Sequence, residues 1–143
     1  MPAEKLGQPP PIVQAMILAD HIHRDSITNK KFILGTYNVV SADKFPYPKA
    51  LCLYLAITDA HGPLLLRIRV ADVDDQHSPV YETAYPVELP DPNMVYEVTI
   101  NVAVVFPGSG DYRIQLFAGN ELLRELRLRV GLASELNKPP PDL

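Results

Sequence analysis

The residues best suited to chemistry lie in "ADHIHRD", residues 19–25, where His21, His23 and Asp25 follow an apolar run. On a strand, His21 and His23 point to the same side, ~6.6 Å apart along the chain. Such a pair can chelate a zinc-sized ion, whose bonds to nitrogen are ~2.0–2.1 Å long, if a third ligand arrives. His61 in "TDAHG" is the candidate third, with Asp59 beside it, and the site could then be hydrolytic. The competing reading makes "HRDSITNK" a polar hairpin turn in which Asp25 accepts backbone N–H bonds. A second set is Asp72, Asp74 and Asp75 in "ADVDDQH". Calcium takes roughly six to eight oxygen ligands, and sandwich domains that bind calcium and membranes use aspartate loops at one end. The same aspartates also suit a solvated acidic turn.

Other enzyme signatures are absent. There is no P-loop, no G-x-G-x-x-G after a strand, no H-E-x-x-H and no G-x-S-x-G. Cys52 alternates with Leu51 and Leu53, and a mid-strand thiol among apolar residues reads as inert packing. No cofactor and no small-molecule substrate are indicated.

The elements that must position these residues are strands. "YEVTINVAVVF" puts Tyr96, Val98, Ile100, Val102 and Val104 on one face, opposite Glu97, Thr99 and Asn101. "LLLRIRV" and "ELRLRV" alternate in the same way. Period two over six or more residues is the pattern of a half-buried antiparallel strand. Eight strands are expected, over 12–23, 31–40, 50–59, 63–73, 80–87, 94–105, 111–118 and 121–130. Gly119-Asn120 is the two-residue turn of a hairpin, and "LASELN" suits one helical turn. Tyr112, after the turn "PGSG", is placed for a tyrosine corner and reads as a structural clip. The expected fold is an all-β, single-domain antiparallel β-sandwich, immunoglobulin-like or jelly-roll-like.

If each of eight strands spans the full height, their directions alternate. The loops after the first, third, fifth and seventh then share one end. That reasoning puts His21, His23 and Asp25 with Asp59 and His61, away from the loop of Asp72, Asp74 and Asp75.

The chain has 143 residues, enough for one domain. Fifteen are proline, about twice the usual share of ~5%. Proline triplets at 9–11 and 139–141 mark tails at 1–11 and 132–143 around a core of 12–131. The net charge of −4 argues against nucleic acid, because phosphate contacts need an excess of Lys and Arg. A single cysteine favours a reducing cytoplasm. The start does not read as a signal peptide, and the apolar run "IVQAMILA" is too short to span a membrane, which takes about 20 residues.

In this order, "ADHIHRDSITNKKFILG", "FPYP", "LYLAITDAHG", "ELPDP" and "PGSGDYRIQLFAGNELL" resemble a family of small bacterial proteins classed as a domain of unknown function. The resemblance covers about residues 13–130. It implies a compact all-β cytoplasmic domain and carries no activity, so no catalytic residue is transferred. The expectation is a non-enzymatic binding or assembly module with a protein partner or a homo-oligomer. Two surfaces could serve it. One is a basic stripe of Arg67, Arg69, Arg113, Arg127 and Arg129 on one sheet face. The other is the strand of Tyr81 and Tyr85, which Pro86 marks as an edge, because proline cannot donate to a ladder.

Overall fold

The computed structural model describes residues 10–74 and 79–136. Among these, nine strands form two packed sheets. They are β1 (Ile12–Arg24), β2 (Lys31–Thr36), β3 (Val39–Ala42), β4 (Tyr47–Thr58), β5 (Gly62–Asp72), β6 (Tyr81–Leu89), β7 (Tyr96–Phe106), β8 (Gly110–Ala118) and β9 (Glu121–Leu132). One sheet has the order β2-β1-β4-β7 and the other β3-β9-β8-β5-β6. A single helical turn, α1 (Ala133–Leu136), follows β9. The Phe45–Pro46 peptide bond is cis.

The alternation read from the sequence is the cause of this architecture. Leu51, Leu53, Leu55 and Ile57 of β4 and Ile100, Val102, Val104 and Phe106 of β7 face inward and are buried. Leu66, Ile68, Val70, Ile114, Leu116, Leu128 and Val130 meet them from the second sheet. Each such side chain stabilises the fold by about 1.5–3 kcal/mol relative to exposure. No polar or charged residue of the described chain is fully buried. The tyrosine corner is present. Tyr112 donates to the carbonyl of Gly108 at 2.7 Å and packs edge-on against Phe106 at 4.9 Å. Gly119 takes φ 60° as the first residue of the β8–β9 turn, where a II′-type hairpin needs glycine.

The expected strand over 31–40 is two strands in two sheets. β2 pairs with β1, whereas β3 pairs in parallel with β9. The break follows Gly35, which has φ 74°, and a Cβ there would lie 2.6 Å from Oδ2 of Asp20. Glycine meets both conditions without strain. β2 and β4 both run antiparallel to β1, so the chain reverses once more between them than eight full-height strands allow. The parity that grouped His61 with His21 and His23 therefore fails. The β3–β9 pair also makes the second sheet mixed rather than purely antiparallel. At the C-terminal boundary, β9 continues to Leu132, and Leu136 of α1 comes within 3.3 Å of where a Cβ of Gly131 would sit. The compact unit thus extends past 131 among the described residues.

Candidate functional site

β1 pairs with β4 only from Ile12↔Thr58 to Ala19↔Cys52, and beyond Ala19 it pairs with β2 alone. The β1–β2 hairpin then folds across the outer face of its own sheet. Three observations carry this. Cys52 and Ala56 alternate with the inward leucines of β4, and so face outward, yet they are only 9% and 4% exposed. Burial pushes the Cys52 thiol up, partly offset by a hydrogen bond from the Ile22 backbone. Lys31 of β2 meets Glu97 of β7 at 2.9 Å, two strands away from β1.

Glu97 is the anchor of that contact. It accepts from the Tyr54 hydroxyl and from the Lys31 ammonium. Its carboxyl is held below the usual carboxylate range by the Tyr54 hydrogen bond first and by Lys31 next. Burial, with the Glu97 charge beside it, pushes the Tyr54 hydroxyl up to about 12. Nothing local in the sequence signals this trio, because it exists only once β1 bends. Beside the bend, burial and the nearby Asp20 charge push Tyr37 up to about 12, with Lys49 Nζ 5.2 Å from its ring centre.

On the solvent side of the hairpin, His21 and His23 are exposed with ring centres 6.4 Å apart, and His23 lies 6.1 Å from Phe32. Phe32 and Leu34 are exposed as well. Asp25 is occupied in the turn. It accepts from the Thr28 hydroxyl at 2.5 Å and the Thr28 N–H at 3.2 Å, and these bonds lower its pKa. Asn29, with φ 61°, returns its N–H to the Asp25 carbonyl. His61 sits at the β4–β5 corner, beside the Ile12 end of β1. Roughly 20 Å of strand, at ~3.3 Å per residue, separates that corner from the bend at Ala19. Among the described residues, no group of three or more His, Cys, Asp or Glu side chains could hold a metal ion. The expected grouping of His21, His23, Asp25 and His61 is thus not assembled, because the extra reversal and the bend part its members.

In the acidic loop, Asp72 Oδ1 accepts the N–H of Asp74 at 2.9 Å, the geometry of an Asx turn. Asp72 also packs over Gly110, and Val73 donates to the Asp111 carbonyl. Asp75, like His77, lies outside the described residues.

The five arginines come together as expected, on the outer face of β9, β8 and β5. They are largely matched within that face. Arg67 pairs with Glu82 and lies over Phe117, Arg113 reaches Glu125 at 3.8 Å, and Arg129 reaches Asp111 at 3.3 Å. Arg69 meets Gln115 at 3.5 Å. Arg127 is exposed and has no ion pair among the described residues. The stripe is a mixed-charge surface rather than a basic one.

β6 is an edge, as Pro86 signalled. Tyr81 and Tyr85, however, face inward and pack against the core, which makes them supports of the edge rather than exposed anchors. Sequence reading missed the second edge on the same flank. β7 is paired only with β4, through eleven consecutive residues and without a register shift. Its outward face carries Glu97, Thr99, Asn101, Ala103 and Val105, the last 54% exposed.

A family model described as "Family of unknown function (DUF6941)" matches residues 14–131. No curated protein matches the chain. Among solved structures, a β-glucosidase from Listeria innocua in complex with gluconolactone is similar at 15% identity and a TM-score of 0.45. The match covers 76% of this chain and 19% of the glucosidase. Among the described residues, no helix is long and apolar enough to cross a membrane.

Proposed function

Because the chain belongs to the family of unknown function DUF6941, which brings no activity with it, we propose a function from its geometry: an assembly module that accepts a further strand on β7. One observation carries this reading. β7 is a long edge without the usual protection. Proteins guard edges with short strands, lysine, proline or bulges. β3 has four residues, β2 has six and starts with Lys31, and β6 contains Pro86. β7 has eleven residues, no proline, no lysine, no register shift and one charge, Glu97. Every second residue of β7 turns its N–H and C=O away from β4, toward a partner's ladder. Strand addition of this kind draws affinity from main-chain hydrogen bonds and specificity from alternate side chains. The mixed-charge arginine face supports the edge in preference to an acidic partner on the sheet face.

The test is Ala103→Lys. Residue 103 is exposed, so the fold should hold, and a lysine on the edge opposes pairing. Self-association, or capture of a partner from cells that make the protein, is compared with the unaltered chain. Association that is lost in the variant fits the reading. Association that survives it sinks the reading, as does a chain that associates with nothing.

A further inference from the structure

We infer that the strand received by β7 is β7 of a second copy, paired antiparallel about a two-fold axis through Asn101. This rests on the edge reading above and names its occupant. Asn101 is the middle residue of Tyr96–Phe106, so the axis there gives the full overlap of eleven residues. On the outer face that register sets Glu97 against Val105 of the second copy, Thr99 against Ala103, and Asn101 against its own mate. On the inner face it sets Tyr96 against Phe106, Val98 against Val104, and Ile100 against Val102. No like charges meet, since the one charge on the strand faces an aliphatic side chain and is already neutralised by Lys31. β-branched and amide cross-strand pairs of this kind hold sheets together.

The area is sufficient. Eleven residues at ~3.4 Å make a flank about 37 Å long, and two sheets ~10 Å apart with their side chains make it about 20 Å thick. That is about 700 Å² a copy and about 1,400 Å² in total, inside the ~1,200–2,000 Å² of stable interfaces. β6 lies on the same flank and adds contact but no regular ladder, because Pro86 interrupts its donors. The hairpin turn explains a further exposed residue. Lys31 touches Glu97, so the turn just before it lies at the β7 flank. Ile27 in that turn is 91% exposed. The two-fold brings Val105 of the second copy, 54% exposed, to the Glu97 end where this turn sits.

The test uses the full chain and two single cysteine variants. Sedimentation or light scattering across a dilution series should give twice the 15.9 kDa chain mass, and Ala103→Lys should return it to the single mass. In a Cys52→Ala background, needed because Cys52 lies directly opposite Asn101 on β4, Asn101→Cys should form an intermolecular disulfide on mild oxidation, because opposed Cα atoms in an antiparallel pair lie ~4.5–5.5 Å apart, within disulfide reach. Thr99→Cys should not. Its mate lies four residues away along the strand, ~14 Å at ~3.4 Å per residue. The Cys52→Ala chain, which has no cysteine, serves as the control. A single-mass chain with no Asn101→Cys product overturns the second copy. The edge reading falls with it only if β7-dependent capture of another partner is also absent. A dimer that cross-links equally well at 99 and 101 overturns the register, and one that survives Ala103→Lys sinks the edge reading with it.

Discussion

Removing the Glu97 carboxylate should release the β1–β2 hairpin from the sheet without unfolding the sandwich. Glu97→Ala deletes a charge-assisted bond from Tyr54 and an ion pair with Lys31. A hydrogen bond to a charged group contributes ~1.5–3 kcal/mol when shielded, and an exposed ion pair less than ~1 kcal/mol. The Lys31 and Glu97 side chains are 13% and 31% exposed, so values near the lower ends apply. The sum is about 2 kcal/mol, or roughly a 30-fold rise in hairpin opening. Glu97→Gln keeps the Tyr54 bond without its charge and should lose about half. Amide hydrogen exchange is the assay. Ile22 to Arg24 and Lys31 to Leu34 should lose protection, while Leu53 in β4 and Ile114 in β8 keep theirs. Equal loss across the chain would mean that the hairpin is not a separate unit. No loss at all would mean that the trio does not hold it down.

Three further outcomes test other parts of the argument. Tyr112→Phe should cost about 1 kcal/mol, the net contribution of one hydrogen bond, and lower the melting temperature by roughly 3–4 °C for a chain of this size. An unchanged melting temperature would show that the corner does not clamp Gly108. Gly35→Ala should cost more than the ~1–2 kcal/mol penalty of a left-handed residue, because its methyl also meets Asp20; a denaturant midpoint equal to that of the parent would deny the strain. The Glu97 pKa is lowered by folding, so its contribution is present above the ordinary carboxylate range and fades as pH falls through the folded value. That of Tyr54 is raised by folding from 10.0 to about 12, so its contribution holds below 10 and fades as pH climbs toward 12. Ultraviolet titration should show two late-ionising tyrosines, Tyr37 and Tyr54, and Tyr54→Phe should remove one of them.

Most of the fold was legible because it is written in local alternation. The β4, β5, β7 and β9 strands, the Gly119 turn, the Tyr112 corner and the Pro86 edge each have a short-range cause. The failures share one origin. "KFILGTYNVV" alternates well enough to pass for one strand, and nothing nearby marks Gly35 as the point where the chain changes sheets. The requirement comes from Asp20, fifteen residues earlier. That one misreading inverted the loop parity and brought His61 to the wrong company. The bend at Ala19 is invisible for the same reason, and with it the Lys31–Glu97–Tyr54 trio. Whether an edge is guarded depends on strand order, which alternation does not encode, so β7 looked like any other half-buried strand.

On one flank the seam between the sheets is stitched twice. There Arg124 reaches from β9 to the Val13 carbonyl of β1 at 2.6 Å, and the chain itself crosses between sheets at Tyr37–Asn38. β1 and β9, the first and last strands, both belong to this flank, and β7 belongs to the other, where the chain crosses from β6 to β7. In a β7-paired dimer the order β1-β4-β7-β7-β4-β1 holds the two β1 strands five spacings apart, about 24 Å at ~4.8 Å per spacing. Domains fused before β1 or after β9 would be joined to strands away from β7, and they should leave the pairing edge unencumbered.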